Sequence, residues 1–213
     1  MAFIATKLKV SIQSALAAAV TATAVTQANP GVVTAAGHGL TTGDTIVWGE
    51  VSGMAELSYQ AVRVTVTSVD EFSMDGLDTT NYTAFVSGTF QQVTTFVPLS
   101  NSTSVSMPDA GQQKIDVSTL LDTSMQYDLG VPDSPEGSIS GLFAPNILGV
   151  QEVRAAQRTN TARVLKLEWQ NGALTLFNAF VSGGQGFEAA FNQAVTGTIS
   201  FTPRKEWFTY AAV

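Results

Sequence analysis

Short runs of β-branched and aromatic residues, each closed within a few positions by glycine, serine or an Asx-Gly pair, leave this chain little choice but a sheet. Thr45-Ile46-Val47-Trp48, Ala61-Val62-Arg63-Val64-Thr65-Val66 and Val164-Leu165-Lys166-Leu167 are such runs. Leu8, Val10 and Ile12 alternate with Lys7, Lys9, Ser11 and Gln13, the period of a half-buried strand. Asn171-Gly172 between two apolar runs is a strong hairpin signal, because that pair accepts the backbone angles of a two-residue turn. Residues 174–181, 187–195 and 198–202 complete the strands. One helix is expected at about 146–157, with Pro145-Asn146 supplying a break and a cap. Residues 118–134 hold no sustained period and contain Gly130, Pro132 and Asp133, so they read as a long loop that is either functional or disordered. The class is all-β, or mainly β, with one flanking helix.

Composition narrows the chemistry. Charged residues are 13% of the 213, about half of the roughly 25% typical of soluble domains. Hydrophobic residues at 45% exclude a disordered chain. With no cysteine and one histidine, disulfide scaffolds, thiolate metal sites and most zinc or iron chemistry are excluded. The net charge of -7 argues against attraction to nucleic-acid phosphates. No window offers the about eighteen uninterrupted apolar residues of a membrane span. Lys7 and Lys9 before an Ala-rich run imitate a signal peptide, but Ser11, Gln13 and Ser14 interrupt the apolar stretch such a peptide needs.

Charge also divides the chain. Residues 1–29 carry two lysines and no acid, whereas 30–95 hold seven acids against Arg63 alone. Residues 96–150 hold six acids against Lys114, and 151–213 are net positive. An acidic block between basic segments suggests a small β module, 30–95, inserted into a host domain formed by 1–29 and 96–213.

No motif supports an enzyme. Gly184-Gln185-Gly186-Phe187-Glu188-Ala189 matches the dinucleotide pattern in letters but lacks the βαβ unit that gives it meaning, and reads as a strand connection. Gly137-Ser138-Ile139-Ser140-Gly141 places Ile139 where a nucleophile elbow needs serine. His38, between Gly37 and Gly39, reads as a turn residue. Asp75-Gly76-Leu77-Asp78 is too sparse for a calcium loop. Arg154 and Arg158, at i and i+4, share one helix face and suggest protein contacts. No cofactor is implied.

Two stretches carry a resemblance. Ala36-Gly37-His38-Gly39-Leu40, Gly43-Asp44, Val51-Ser52-Gly53-Met54, Phe72-Ser73-Met74, Asp78-Thr79-Thr80 and Tyr82-Thr83-Ala84 resemble the small FCCH-like β module of ubiquitin-activating enzymes that recurs in phage structural proteins. The stretches 115–120 (Ile-Asp-Val-Ser-Thr-Leu) and 126–133 (Gln-Tyr-Asp-Leu-Gly-Val-Pro-Asp), the single helix and the closing 197–201 are similar to major tail tube proteins of long, non-contractile, siphovirus-like phage tails.

The resemblance implies a β-sandwich or barrel subunit that self-assembles into stacked homo-hexameric rings. These would form the virion tail tube, assembled in the host cytoplasm and used as a conduit for DNA ejection. The implied partners are further copies of the chain, tape measure and terminator proteins, and phage DNA as unbound cargo, with no membrane. The competing reading is a tail-tip or fibre protein, or a capsid-decoration protein.

Within that frame the 119–135 loop, carrying Leu120, Leu121, Met125, Tyr127 and Leu129, is the expected inter-ring contact, because it holds more apolar surface than a solvated loop should. Asp109, Asp116, Asp122 and Asp128 are candidate lumen acids, since fixed cations would bind passing phosphates. Arg154, Arg158 and Arg163 are candidates for contacts between subunits. The acidic module is expected on the tube exterior.

Overall fold

A computed structural model describes residues 7–107, 109, 111–121, 123–132 and 135–212. The strands in chain order are β1 (Lys9–Leu16), β2 (Val20–Ala22), β3 (Ala24–Val25), β4 (Val32–Thr34), β5 (Thr45–Ser52), β6 (Ala61–Val66), β7 (Glu71–Met74) and β8 (Ser87–Pro98). They continue with β9 (Ser102–Ser106), β10 (Gln112–Asp116), β11 (Tyr127–Pro132) and β12 (Gly137–Leu142). After helix α1 (Leu148–Thr159) come β13 (Arg163–Glu168), β14 (Leu174–Gly183), β15 (Thr196–Pro203) and β16 (Phe208–Tyr210). Mainly β structure with one long helix is what the periodicity implied.

Fourteen strands join one curled sheet in the order β3-β4-β7-β6-β5-β8-β1-β13-β14-β15-β12-β9, with β2 beside β8 and β16 beside β14. β8 belongs to two lobes at once. Its first half pairs with β5 and β2, and its second half with β1.

The first lobe gathers β2 to β7 and the first half of β8, and holds the 30–95 stretch. Its core is an aromatic chain in which Trp48 meets Phe90 at 5.5 Å and Phe90 meets Phe72 at 5.2 Å, both edge-to-face. Ala22 and Val25 are buried in that core, so its packing begins before residue 30. Gly31 is required where it stands: a Cβ there would lie 2.6 Å from the Thr79 hydroxyl. That buried hydroxyl donates to the Thr26 carbonyl at 2.7 Å and accepts from the Ala28 N–H. His38 closes a turn as expected. Gly37 and Gly39 have positive φ, the Leu40 N–H donates to Nδ1 at 3.0 Å, and Nε2 faces the Ser68 carbonyl at 3.2 Å. Those partners fit the neutral Nε2–H tautomer.

The second lobe wraps its sheet around α1. Val150, Val153 and Ala156 pack against Ile12, Leu165, Phe177 and Phe201. The helix begins two residues later than the sequence suggests. Ile147, not Asn146, is the N-cap, with no side-chain bond, while the Asn146 carbonyl accepts from Gln151. Asn160 closes it in the left-handed conformation that asparagine tolerates.

A third cluster forms the seam, where Ala61 and Val93 meet Val164, Leu176 and Tyr210. The Tyr210 hydroxyl accepts from the Arg63 N–H at 3.1 Å, and burial pushes its pKa up to about 12. Arg63 also binds Asp75 at 2.7 Å and lies over the Tyr210 ring. Asn178 donates to the Tyr59 carbonyl at 2.9 Å, and Gln60 donates to the Glu206 carbonyl at 2.8 Å.

Two expectations are corrected. The expected loop at 118–134 contains β11, which pairs with β10 as a separate two-stranded sheet. The expected strand at 187–195 is a turn-rich connection whose only ladder contact among the described residues is Glu188 with Thr196. The stretch is broken by Asn192, which takes a left-handed φ of 61°, and by the turn in which the Gln193 N–H donates to the Ala190 carbonyl.

Candidate assembly surfaces

The β10–β11 hairpin is an arm. Lys114 lies opposite Leu129, Ile115 opposite Asp128 and Asp116 opposite Tyr127. The Ser118 hydroxyl accepts from the Gln126 N–H at 2.9 Å, and the Ser118 N–H donates to Asp116 at 2.9 Å. Hydrogen bonding to the Asp116 carboxyl, first from the Ser118 hydroxyl and then from the Ser118 N–H, holds it below its ordinary pKa. The tip is thus knotted by its polar groups, while its apolar groups face solvent. Leu120 is 107% exposed, Leu121 93% and Met125 71%. Ile115, Tyr127, Leu129 and Val131 are also exposed, and among the described residues no arm side chain joins a core cluster. Among the described residues the Tyr127 hydroxyl makes only the weak bond to the Met125 sulfur at 3.0 Å.

The arm gathers most of the sequence-derived candidates. Asp116 and Asp128 are exposed on its strands, Asp109 is exposed just before it, and Asp122 lies outside the described residues. The arginines are not gathered. Both Nε and Nη2 of Arg154 donate to the Gly184 carbonyl, tying α1 to the β14–β15 connection within one chain. Arg158 is exposed in the last turn of α1, where its charge suits the helix dipole, and its Nε donates to the Arg154 carbonyl at 3.2 Å. Arg163 starts β13, and its buried Nε has no hydrogen-bond partner among the described residues.

Sequence reasoning missed a second exposed apolar site. Phe187 and Phe191 stand in solvent on the β14–β15 connection, with Phe191 101% exposed and Phe187 against Phe143 at 5.1 Å. Two phenylalanines four apart in a stretch otherwise rich in Gly, Gln, Asn and Ala were the available signal. A cleft of about 420 Å³ opens between Leu8, Val10 and Leu167 on one side and Val105 and Met107 on the other. It shows β9 brought across from β1 by the curl of the sheet.

Among the described residues no group of His, Asp and Glu could hold a metal ion, and no helix is long and apolar enough to cross a membrane. A comparison with curated proteins gave no match. A comparison with protein families matched residues 52–212 to phage tail tube protein, TTP, from inside the module lobe to the last residue but one. The chain therefore belongs to the phage tail tube protein family, as a structural component of the virion tail and not an enzyme.

Proposed function

We propose that six copies of this chain close into a ring and that rings stack through the β10–β11 arm to build the tail tube. The observation behind this reading is the arm itself, a hairpin whose apolar side chains find no cover among the described residues. A lone two-stranded hairpin is marginal in water, so an arm of this kind suits a partner that supplies the missing layer. Burying Tyr127 and Leu129 against a second copy contributes roughly 1.5–3 kcal/mol each before the cost of ordering. Repeated around a ring, that is enough to hold stacked rings together.

Asp109, Asp116 and Asp128 would then border the lumen at the ring junction, because β9 leads directly into the arm. Arg158, exposed at the end of α1, is the arginine of the three best placed to reach a neighbouring subunit. The module would sit on the exterior, and the tube would meet a tape measure protein within and a terminator at its end. Negative-stain microscopy of the purified chain tests the reading. Rings and hollow tubes support it, and discrete monomers or trimers at every concentration overturn it.

A further inference from the structure

Two exposed apolar surfaces of this chain stand at opposite ends of one strand. β12 leaves the arm at Gly137, beside the last residues of β9, and runs six residues to Leu142, roughly 20 Å away. There Leu142 pairs with Thr196 at the start of β15, and the Phe143 N–H donates to the Val195 carbonyl at 2.9 Å. This far end carries the β14–β15 connection, with Phe187 resting on Phe143 and Phe191 in solvent. Leu142, next in sequence to Phe143, is exposed as well. α1 starts at the same end, since a Cβ on Gly184 would lie 3.0 Å from Val150.

The connection that displays the two phenylalanines is held by its own backbone. Glu188 and Thr196 exchange both of their N–H···O bonds, at 2.8 and 3.0 Å. The Gln193 N–H donates to the Ala190 carbonyl at 3.2 Å, and Arg154 holds the Gly184 carbonyl. An apolar patch on so well bonded a loop is suited to a partner surface. We infer that it is the seat on which the arm of the next copy docks. This rests on the ring-and-tube reading above and names the surface that receives the arm.

Symmetry favours this pairing. A tube grows by a heterologous contact, in which one surface of each copy meets a different surface of the next. Arm on arm, or patch on patch, would be isologous and would close after two copies. An arm rooted at one end of β12 and a patch at the other meet the head-to-tail requirement. Charge points the same way. Residues 109–136 carry six acids against Lys114, so two arms brought together would repel. Residues 137–151 carry no charge, and 183–203 carry Glu188 alone. α1 begins beside the patch with no acid in its first turn, which leaves the positive end of its dipole open to the acids of an incoming arm. The Arg154 guanidinium lies at the same end. Phe187, Phe191 and Tyr127 together offer on the order of 400 Å² of the about 1,000 Å² that a specific contact buries.

The chain has no cysteine, so cysteines set beside the contact report proximity without removing its apolar anchors. Thr123→Cys at the arm tip and Ala190→Cys between the two phenylalanines change exposed residues. Equal mixtures of the two variants are assembled, treated with a short bis-maleimide and compared on denaturing gels with tubes of each variant alone. Tubes of the mixture should give cross-linked dimers at several times the level of either variant alone. Dimers as abundant with Thr123→Cys alone would mean that arm meets arm, and with Ala190→Cys alone that patch meets patch. Mixed tubes without dimers would place the arm elsewhere. Each of these results overturns the inference. Phe187→Ser with Phe191→Ser in one chain supplies a second readout, and should give folded rings by sedimentation but no tubes. Long tubes would overturn the seat. So would a folded monomer that forms no rings, because the patch would then join neighbours within a ring. Absence of tubes from the unsubstituted chain would instead overturn the ring-and-tube reading itself.

Discussion

In the module lobe, Phe72 on β7 and Phe90 on β8 alternate with polar neighbours and meet each other at 5.2 Å with no exposure to speak of. In the arm, Tyr127, Leu129 and Val131 on β11 follow the same alternation and all stand in solvent. The local pattern is one and the same. The module's strands curl over a shared interior, whereas the arm has only two strands and nothing above or below them. A strand pattern therefore says that a face wants cover, and the rest of the chain decides whether the cover is internal. For the module it is internal. For the arm we place it on the next copy.

The severest way to break this contrast is to delete the internally covered region. The register of β1 with β8 pairs Leu16 with Val93, so residues 20–90 can be replaced by a short Gly/Ser bridge from Ala19 to Gln91. Deletion uncovers Val164 and Leu176 at the seam, an expected loss of roughly 1.5–3 kcal/mol for each. Urea unfolding should show the lost stability, and microscopy should still show tubes if the module only decorates them. A soluble, folded deletion protein that forms no tubes would give the module a part in assembly. Within the module, Phe72→Ala should cost about 3–5 kcal/mol, because it removes the middle of the aromatic chain and leaves a cavity. A shift in the unfolding midpoint equivalent to under about 1 kcal/mol would mean the lobe repacks freely and the contrast with the arm is overstated.

Acid separates the two regions more gently. Glu56 is held below its ordinary pKa by its own backbone and then the Thr83 hydroxyl, and Asp78 by the Thr80 hydroxyl, the Thr80 N–H and Asn29. A depressed carboxyl adds stability that is present above its unfolded pKa and is lost as pH falls through its folded value. The module should therefore lose stability as pH drops below the ordinary values of 4.5 for Glu and 3.8 for Asp. Glu56→Gln should flatten part of that slope in thermal melts, and an unchanged slope would show that the Thr83 bonds do not matter. Among the described residues the arm has one such group, Asp116, and its response should be slighter.

Much of this was legible beforehand, for reasons that vary with the range of the interaction. The hairpin at Asn171-Gly172 was plain from two adjacent residues, although it closes as a three-residue loop, 170–172, in which Gly172 and not Asn171 takes a positive φ. The helix was visible but shifted, because its start is set by burial of Gly149 and Val150 and not by a capping side chain. β11 was hidden by Gly130 and Pro132, which argue against a strand, yet a strand free on one edge tolerates both. The module boundary was misleading at both ends. Ala22 and Val25 join its core from before the acidic block, and β8 runs through its end without a break. Ser138 and Ser140 alternate with Ile139, and Thr198 and Ser200 with Ile199, but only the register reveals that their hydroxyls share one surface.

The smallest expected effect on stability carries the central claim. Tyr127→Ser with Leu129→Ser in one chain changes two exposed residues and should move the unfolding free energy by no more than about 0.5 kcal/mol. The same pair should abolish or sharply shorten tubes counted by negative-stain microscopy at concentrations where the unsubstituted chain forms long ones. Tubes of normal length from a normally stable double variant would contradict the account, because the arm would then need no cover from a second copy.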